Sequence, residues 1–451
     1  MSVWKIYFSI ICIIKLLILP TAIFSESGST QIKQTYRFNA LPDNGSYTIE
    51  INGLSGNLII SGHEGAGALI NINKILFGIG KKDIPQMHKR ANAIVTHIEN
   101  ENIINITASP KEKSTQFIEN TIELNLPKHI NLDFNIPGGD ITLKTINGKT
   151  ILNTLGGDIL IDNFKGDIQT QTNGGNITIQ NSKGSIRMHT FGGNLEIENL
   201  NGETYASTIG GNISLNNING NINCQTSGGS IYLTKINSNK TLVRASGGDI
   251  KSENLIGDFT MKSFGGNIQV SKISNKSDLY CSGGQITVEE SDGTLICKSE
   301  KGNIIINNTT GVIDAITSSG NINLDLNYDS TIKNNSVSLE THSGSITARI
   351  PKEFPANIEN IVYQSTSPKV INSEIVLKIS IDNDKVIGMV SVNDVSTDIL
   401  VVSKNGYGKR SSLEDYRITN RGGKGVKTIA ITDKTGSLVA IKNVSDENDL
   451  M

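Results

Sequence analysis

At 451 residues the chain exceeds the usual size of one domain, so several units or one long repeat array are expected. A formal net charge of −2 argues against an electrostatic nucleic-acid binder built along the whole chain. With 5 % aromatic residues and 45 glycines, the composition points away from a helical bundle and toward an all-β protein with many tight turns.

The chain begins with "MSVWKIYFSIICIIKLLILPTAIFSES". Lys5 supplies a short basic region, residues 6–19 an apolar core and residues 20–25 a small-residue exit, the pattern of a secretory signal peptide over 1–25. Lys15 interrupts the apolar run and argues against a permanent span, and no later segment is long and apolar enough to cross a bilayer. The expected location is therefore exported: periplasm, outer surface or medium.

Residues 28–137 are irregular, although "SYTIEINGLSGNLIISG" already has a strand–glycine–strand style. The periodicity of "DIPQMHKRANAIVTHIENE" predicts a short amphipathic helix near 84–97 that caps the start of the regular region. His88 and His97 lack ligand spacing and are read as surface histidines. This region contains no catalytic constellation.

From residue 138 the sequence keeps time. Gly-Gly recurs at 138–139, 156–157, 174–175, 192–193, 210–211 and 228–229. After one extra residue it resumes at 247–248, 265–266 and 283–284, and single glycines continue the beat at Gly302 and Gly320. A second beat falls midway, at Gly148, Gly166, Gly184, Gly202, Gly220, Gly257, Gly293 and Gly311. Each repeat of 18 residues is thus two short strands and two glycine corners, the corners being assigned to positive φ. Apolar residues fill one column (Leu143, Ile161, Ile179, Ile197) and Thr or Ser another (Thr154, Thr172, Thr190, Thr208). Such columns predict a β-solenoid over 138–387 whose coils rest on one another.

Cys224 and Cys297 fall in an otherwise apolar column, and Cys281 stands in the Thr/Ser column. An odd, widely spaced set makes neither a disulfide framework nor a metal site, so these three are expected to be buried and structural. Three kinds of site could in principle occupy the corners. A calcium β-roll would need Gly where these repeats have Ile after "GG(D/N)". An anion site competes with side-chain bonds inside the turn. A polysaccharide-cleaving site would need clustered acids, whereas Asp140, Asp158 and Asp249 alternate with Asn or Ser. No catalytic residue, metal or cofactor is assigned.

The run "GGDITLKTINGKTILNTLGGDILIDNFKGDIQTQTNGGNITI" resembles the bacterial adhesin-like β-strand-repeat family over about 35–387. That resemblance implies an exported right-handed β-helix acting as a surface or periplasmic scaffold, with an unknown envelope or surface ligand as partner.

The tail differs in composition. Between 404 and 427 lie Lys404, Lys409, Arg410, Arg417, Arg421, Lys424 and Lys427 against only Glu414 and Asp415, a plausible phosphate-contact surface. Strands are expected at "ILVVS", "VKTIAIT" and "LVAIKNV". "GGKGVKT" lacks the Gly-Lys-Ser/Thr ending of a Walker A loop. Instead, "NGYGKR" followed by "EDYRITNRGGKGVKT" resembles the C-terminal DNA-wrapping domain of the DNA gyrase A protein over about 386–451. Arg421, Gly422, Gly423, Lys424 and Gly425 match that family's basic box, while Thr419 and Asn420 depart from its usual opening. The resemblance implies DNA contact by one truncated β-pinwheel blade over 388–451, without the DNA-cleaving tyrosine region. Two functions are compatible with these features: an exported non-enzymatic solenoid carrying a gyrase remnant, or a DNA-binding protein acting through its tail.

Overall fold

The structure, a computed structural model, describes residues 21–24, 29–39, 41, 43–77, 93–108, 118–332, 334–354, 359–362, 378–381, 384–385, 398–416 and 428–446. The chain divides into two compact units, residues 1–352 and 353–451.

In the first unit the coils between 141 and 226 each contribute one strand to each of two parallel ladders of one continuous sheet, as the alternation demanded. Ile231–Ala245 and Ile250–Ser263 run through both ladders. Ile177–Lys183 pairs in parallel with Leu195–Asn201, and Ile186–Thr190 with Thr204–Thr208. Equivalent residues lie 18 apart, so like side chains stack on like. Ile177, Ile179, Ile186 and Met188 point inward with at most 1 % exposure, while Thr178, Gln180, Arg187 and His189 point out. The two inner faces meet in a core about 10 Å thick. The extra residue that breaks the rhythm after Gly229 is absorbed as a bulge between Ser238 and Thr241, with Lys240 N donating to Ser238 Oγ.

The corners correct one part of the sequence reading. The midway glycines do sit at positive φ, as at Gly184 (131°). From Gly175 onward, however, the second glycine of each pair is there for closeness. A Cβ on Gly175 would stand 1.8 Å from Gly157 O of the preceding coil. A third corner escaped notice in the sequence: Asn163, Asn181, Asn199 and Asn217 adopt φ of 56°, 49°, 58° and 55°. Asn tolerates this left-handed conformation, and here its carboxamides also stack, Asn199 Nδ2 donating to Asn181 Oδ1 at 3.0 Å.

The first end of the solenoid changes strand direction. Asn57–His63 pairs in parallel with Ile118–Pro127, which then pairs antiparallel with Ala68–Phe77, itself antiparallel to Ser29–Phe38. These strands give the parallel stack a different last layer, which keeps its edge from templating another chain. The helix expected near 84–97 is not found where it can be seen. Residues 84–92 lie outside the described set, and Ile94–Ile98 is a strand antiparallel to Ile103–Thr107, because that pairing satisfies its backbone on the sheet. His97 is half-buried rather than a surface residue, its ring edge-on to Phe38 at 5.5 Å. The signal-peptide expectation falls outside the described residues except for Thr21–Phe24, a strand antiparallel to Ser29–Phe38.

In the second unit, Asp398–Ser403 is the central strand of a three-stranded antiparallel sheet, flanked by Gly408–Ser412 and Leu438–Val444. The turn at Asn405–Gly406 (φ 80° at Gly406) brings Gly408–Ser412 back at once. It therefore forms one edge of the sheet, whereas the strand expected at "VKTIAIT" is not seen among its described residues. Residues 428–432 of that segment are irregular and lead into a turn in which Gly436 N donates to Thr432 O, while 426–427 lie outside the described residues.

Candidate functional site

The polar corner residues are occupied by the fold. Asp158 N donates to Asp140 Oδ1 (2.8 Å), Asn176 N to Asp158 Oδ1 (2.7 Å) and Asn194 N to Asn176 Oδ1 (2.8 Å). The ladder continues through Asn212, Ser230, Asp249, Asn267 and Gln285. The bonds expected within each turn run instead from coil to coil. Each side chain accepts the corner N–H of its successor, so the "GG(D/N)" acid or amide serves register rather than an anion, and Asp249 is far along the axis from Asp140 and Asp158.

The Thr/Ser column does the same on the inside. Thr190 Oγ1 donates to Gly175 O at 3.0 Å and accepts from Gly193 N at 3.2 Å, closing two backbone groups that the Gly-Gly corner leaves open. Cys281 substitutes for the hydroxyl: Sγ lies 3.0 Å from Gly266 O and 3.2 Å from Gly284 N. Burial pushes the Cys224 thiol up to about 12 and raises those of Cys297 and Cys281 as well. All three are buried, free thiols. We expect Cys224, Cys281 and Cys297 to resist alkylation in the folded chain and to react on denaturation, since the thiolate is the nucleophile. Cys281→Ser should change stability by less than about 1 kcal/mol, because the donor and acceptor roles survive. Thiol titration and urea unfolding of the two proteins check this.

What the fold leaves free is its outward surface. On the ladder that contains Ile186–Thr190, the Arg187 guanidinium lies 4.6 Å over the Tyr205 ring, and His189 meets Phe191 edge-on at 5.0 Å. The residue before each Gly-Gly pair projects from the corner, and several are apolar: Leu155 (62 % exposed), Phe191 (45 %), Ile209 (49 %) and Phe264 (50 %). They make an interrupted apolar ridge bordering a flat polar face. Nothing in the sequence reading singled out this ridge, although its spacing from the glycines was visible.

Of the tail residues expected to meet DNA, the structure describes Lys404, Lys409 and Arg410. Arg417, Arg421, Gly422, Gly423, Lys424, Gly425 and Lys427 lie outside the described residues. Lys404 and Lys409 are exposed, Lys404 at the hairpin turn and Lys409 on the strand. Arg410 is engaged: Nε donates to Asp398 Oδ2 at 2.6 Å and Nη2 to Asp446 Oδ1 at 2.5 Å, and these carboxylates raise its already high pKa. It ties all three strands or their ends together.

The architecture thus defines a parallel β-solenoid with corner ladders, and a separate small antiparallel sheet of the kind that forms a propeller blade. Residues 210–383 match the family described as Toastrack DUF4097, and residues 397–445 match the DNA gyrase C-terminal domain, a β-propeller. The gyrase-like part is 49 % identical over 71 residues to the DNA gyrase A proteins of Staphylococcus aureus strains MRSA252 and COL, covering 16 % of this chain. The chain spans only 8 % of the length of these relatives. Among solved structures, a candidate cell adhesion protein from Clostridium sporogenes ATCC 15579 aligns with 70 % of this chain and 98 % of its own, at 12 % identity and a TM-score of 0.16.

Proposed function

We propose that this is an exported, non-enzymatic β-solenoid of the cell surface or periplasm, with an adhesin-like or scaffold role, and that its gyrase-like tail is a remnant without a DNA-wrapping role. The observation that carries this reading is the use of the corners. The ladders consume the polar groups that a catalytic or ion site would need, leaving two flat outward faces and an apolar ridge for contact with a partner. The resemblance to adhesin-like repeats and the N-terminal sequence pattern support export. On this reading the single blade retains too little surface to wrap DNA, and Arg410, one of its expected phosphate contacts, is already held by two carboxylates.

The test is DNA binding by the full chain and by a chain ending at Gly388, across a salt series. Neither should bind at physiological salt. Binding by the full chain alone, falling steeply as salt rises, would favour the second reading, in which the tail contacts phosphates. Cell fractionation is the companion measurement: protein confined to the cytoplasm would overturn export.

A further inference from the structure

The two outward faces of the solenoid carry different charge. On the ladder that contains Ile186–Thr190, the outward positions from Ile151 to Lys262 hold Arg187, His189, Arg244 and Lys262 and no carboxylate. Asp133 bounds this run at one end of its column and Asp278 at the other. Asp167, Glu203 and Asp258 stand aside, at the midway corner. On the opposite ladder the matching coils set Asp162, Glu196, Glu198 and Glu253 against Lys144 and Lys251. Among the described residues, none of Arg187, Arg244 and Lys262 has an acidic partner.

Register puts these groups in line. His189, Ser207, Gln225, Arg244 and Lys262 follow one another in one column, with Arg187, Tyr205 and Asn223 in the column beside it. Adjacent coils are about 4.8 Å apart, so the strip from Arg187 to Lys262 runs about 19 Å along the axis. Aromatic rings mark both ends. Tyr205 lies under the Arg187 guanidinium and Phe191 meets His189, while Phe264 meets Tyr280 at 6.1 Å. Between them Ser207, Asn223 and Gln225 present hydroxyl and amide groups that both donate and accept.

We propose that this face binds a linear anionic polysaccharide laid along the solenoid axis. The Arg and Lys side chains meet its carboxylates, the rings its sugar C–H groups, and the amides its hydroxyls. The inference rests on the surface-protein reading above and names the partner class for it. An extended acidic peptide is disfavoured, because the backbone groups of this face are engaged in the ladders and offer no open edge to join. The charge is also sparse. Double-stranded DNA presents one phosphate per about 1.7 Å of axis, far denser than these cations over about 19 Å. A polysaccharide charged at every second sugar matches that spacing more closely.

The experiment is fluorescence polarisation of labelled hyaluronan and polygalacturonate fragments with the purified full chain, beside neutral dextran and oligothymidylate. At least one uronate polymer should bind, dextran should not, and binding should weaken as salt rises. Arg187→Ala, Arg244→Ala and Tyr205→Ala should each weaken it about tenfold, the loss of one contact in a multi-contact site. Lys251→Ala, on the opposite face, should leave it unchanged. Failure of both uronate polymers to bind would overturn the proposal, as would an equal loss in Lys251→Ala. Tighter binding of oligothymidylate that is lost in Arg187→Ala and Arg244→Ala would overturn it too, by assigning the face to nucleic acid. Protein confined to the cytoplasm would overturn the surface reading whatever the polysaccharide result, whereas an exported chain that binds neither uronate polymer overturns this inference alone.

Discussion

Replacing Gly175 by Ala should destabilise the solenoid by about 3 kcal/mol or more, while Gly174→Ala next to it should be neutral or slightly stabilising. The asymmetry follows from where each Cβ would go. At Gly174 nothing lies within 4 Å, so a methyl group there projects into open space. At Gly175 it would lie 1.8 Å from Gly157 O and 2.4 Å from Gly157 C, both backbone atoms of the preceding coil. Relief demands that two coils separate by more than about 1 Å, which lengthens the Ile159–Ile177 ladder beside the corner. Gly174→Ala meets no such neighbour and reduces the freedom of the unfolded chain, worth about 0.4–1 kcal/mol where the backbone permits. Urea midpoints of the two variants, followed by circular dichroism, test the pair. Equal midpoints would refute the close-approach explanation of the doubled glycine.

A second substitution isolates the hydroxyl column. Thr208→Val keeps the shape of the side chain but removes its oxygen, and it should cost about 2–4 kcal/mol. Thr208 is 2 % exposed, its Oγ1 donating to Gly193 O at 3.0 Å and accepting from Gly211 N at 3.2 Å. Valine would leave that N–H and that carbonyl in a dry interior without this partner, each worth roughly 1–3 kcal/mol when stranded. Thr208→Ser retains both bonds and should lose less than about 1 kcal/mol, mainly from the missing methyl group. Coils unfold with their neighbours rather than as one block, so hydrogen exchange at Gly211 N is the sharper readout. Protection there should fall in Thr208→Val and persist in Thr208→Ser. A valine variant as protected and as stable as wild type would reduce the column to simple packing.

Much of the fold was legible because a solenoid repeats its environment. When every coil places the same position against the same neighbours, selection for burial writes a column into the sequence, as with Leu143, Ile161 and Ile179, all at 0 % exposure. The cysteines were legible for the same reason, since Cys281 inherits the surroundings of Thr190 and Thr208. Residues 28–137 obey no period, so the pairing partners of their strands could not be counted off. Ile94–Ile98 became a strand because Ile103–Thr107 offers it an edge, a long-range fact that outweighs local helical periodicity. The tail shows a similar limit: the basic residues between 404 and 427 look alike as letters, yet Arg410 is set apart by two carboxylates at its guanidinium.

The sequence by itself determined the 18-residue coil, its two strands, its inward columns and the foreign character of the last segment, because periodicity and residue type report local burial directly. Only the tertiary structure decided why the glycines are doubled, where the corner amides send their bonds, and which strands close the first end. Those features depend on the approach of one coil to the next, and on the antiparallel pairing of Ala68–Phe77 with Ile118–Pro127 across residues far apart in the chain. Such contacts are set by the stacking of backbones, which leaves no spacing in a single sequence to read.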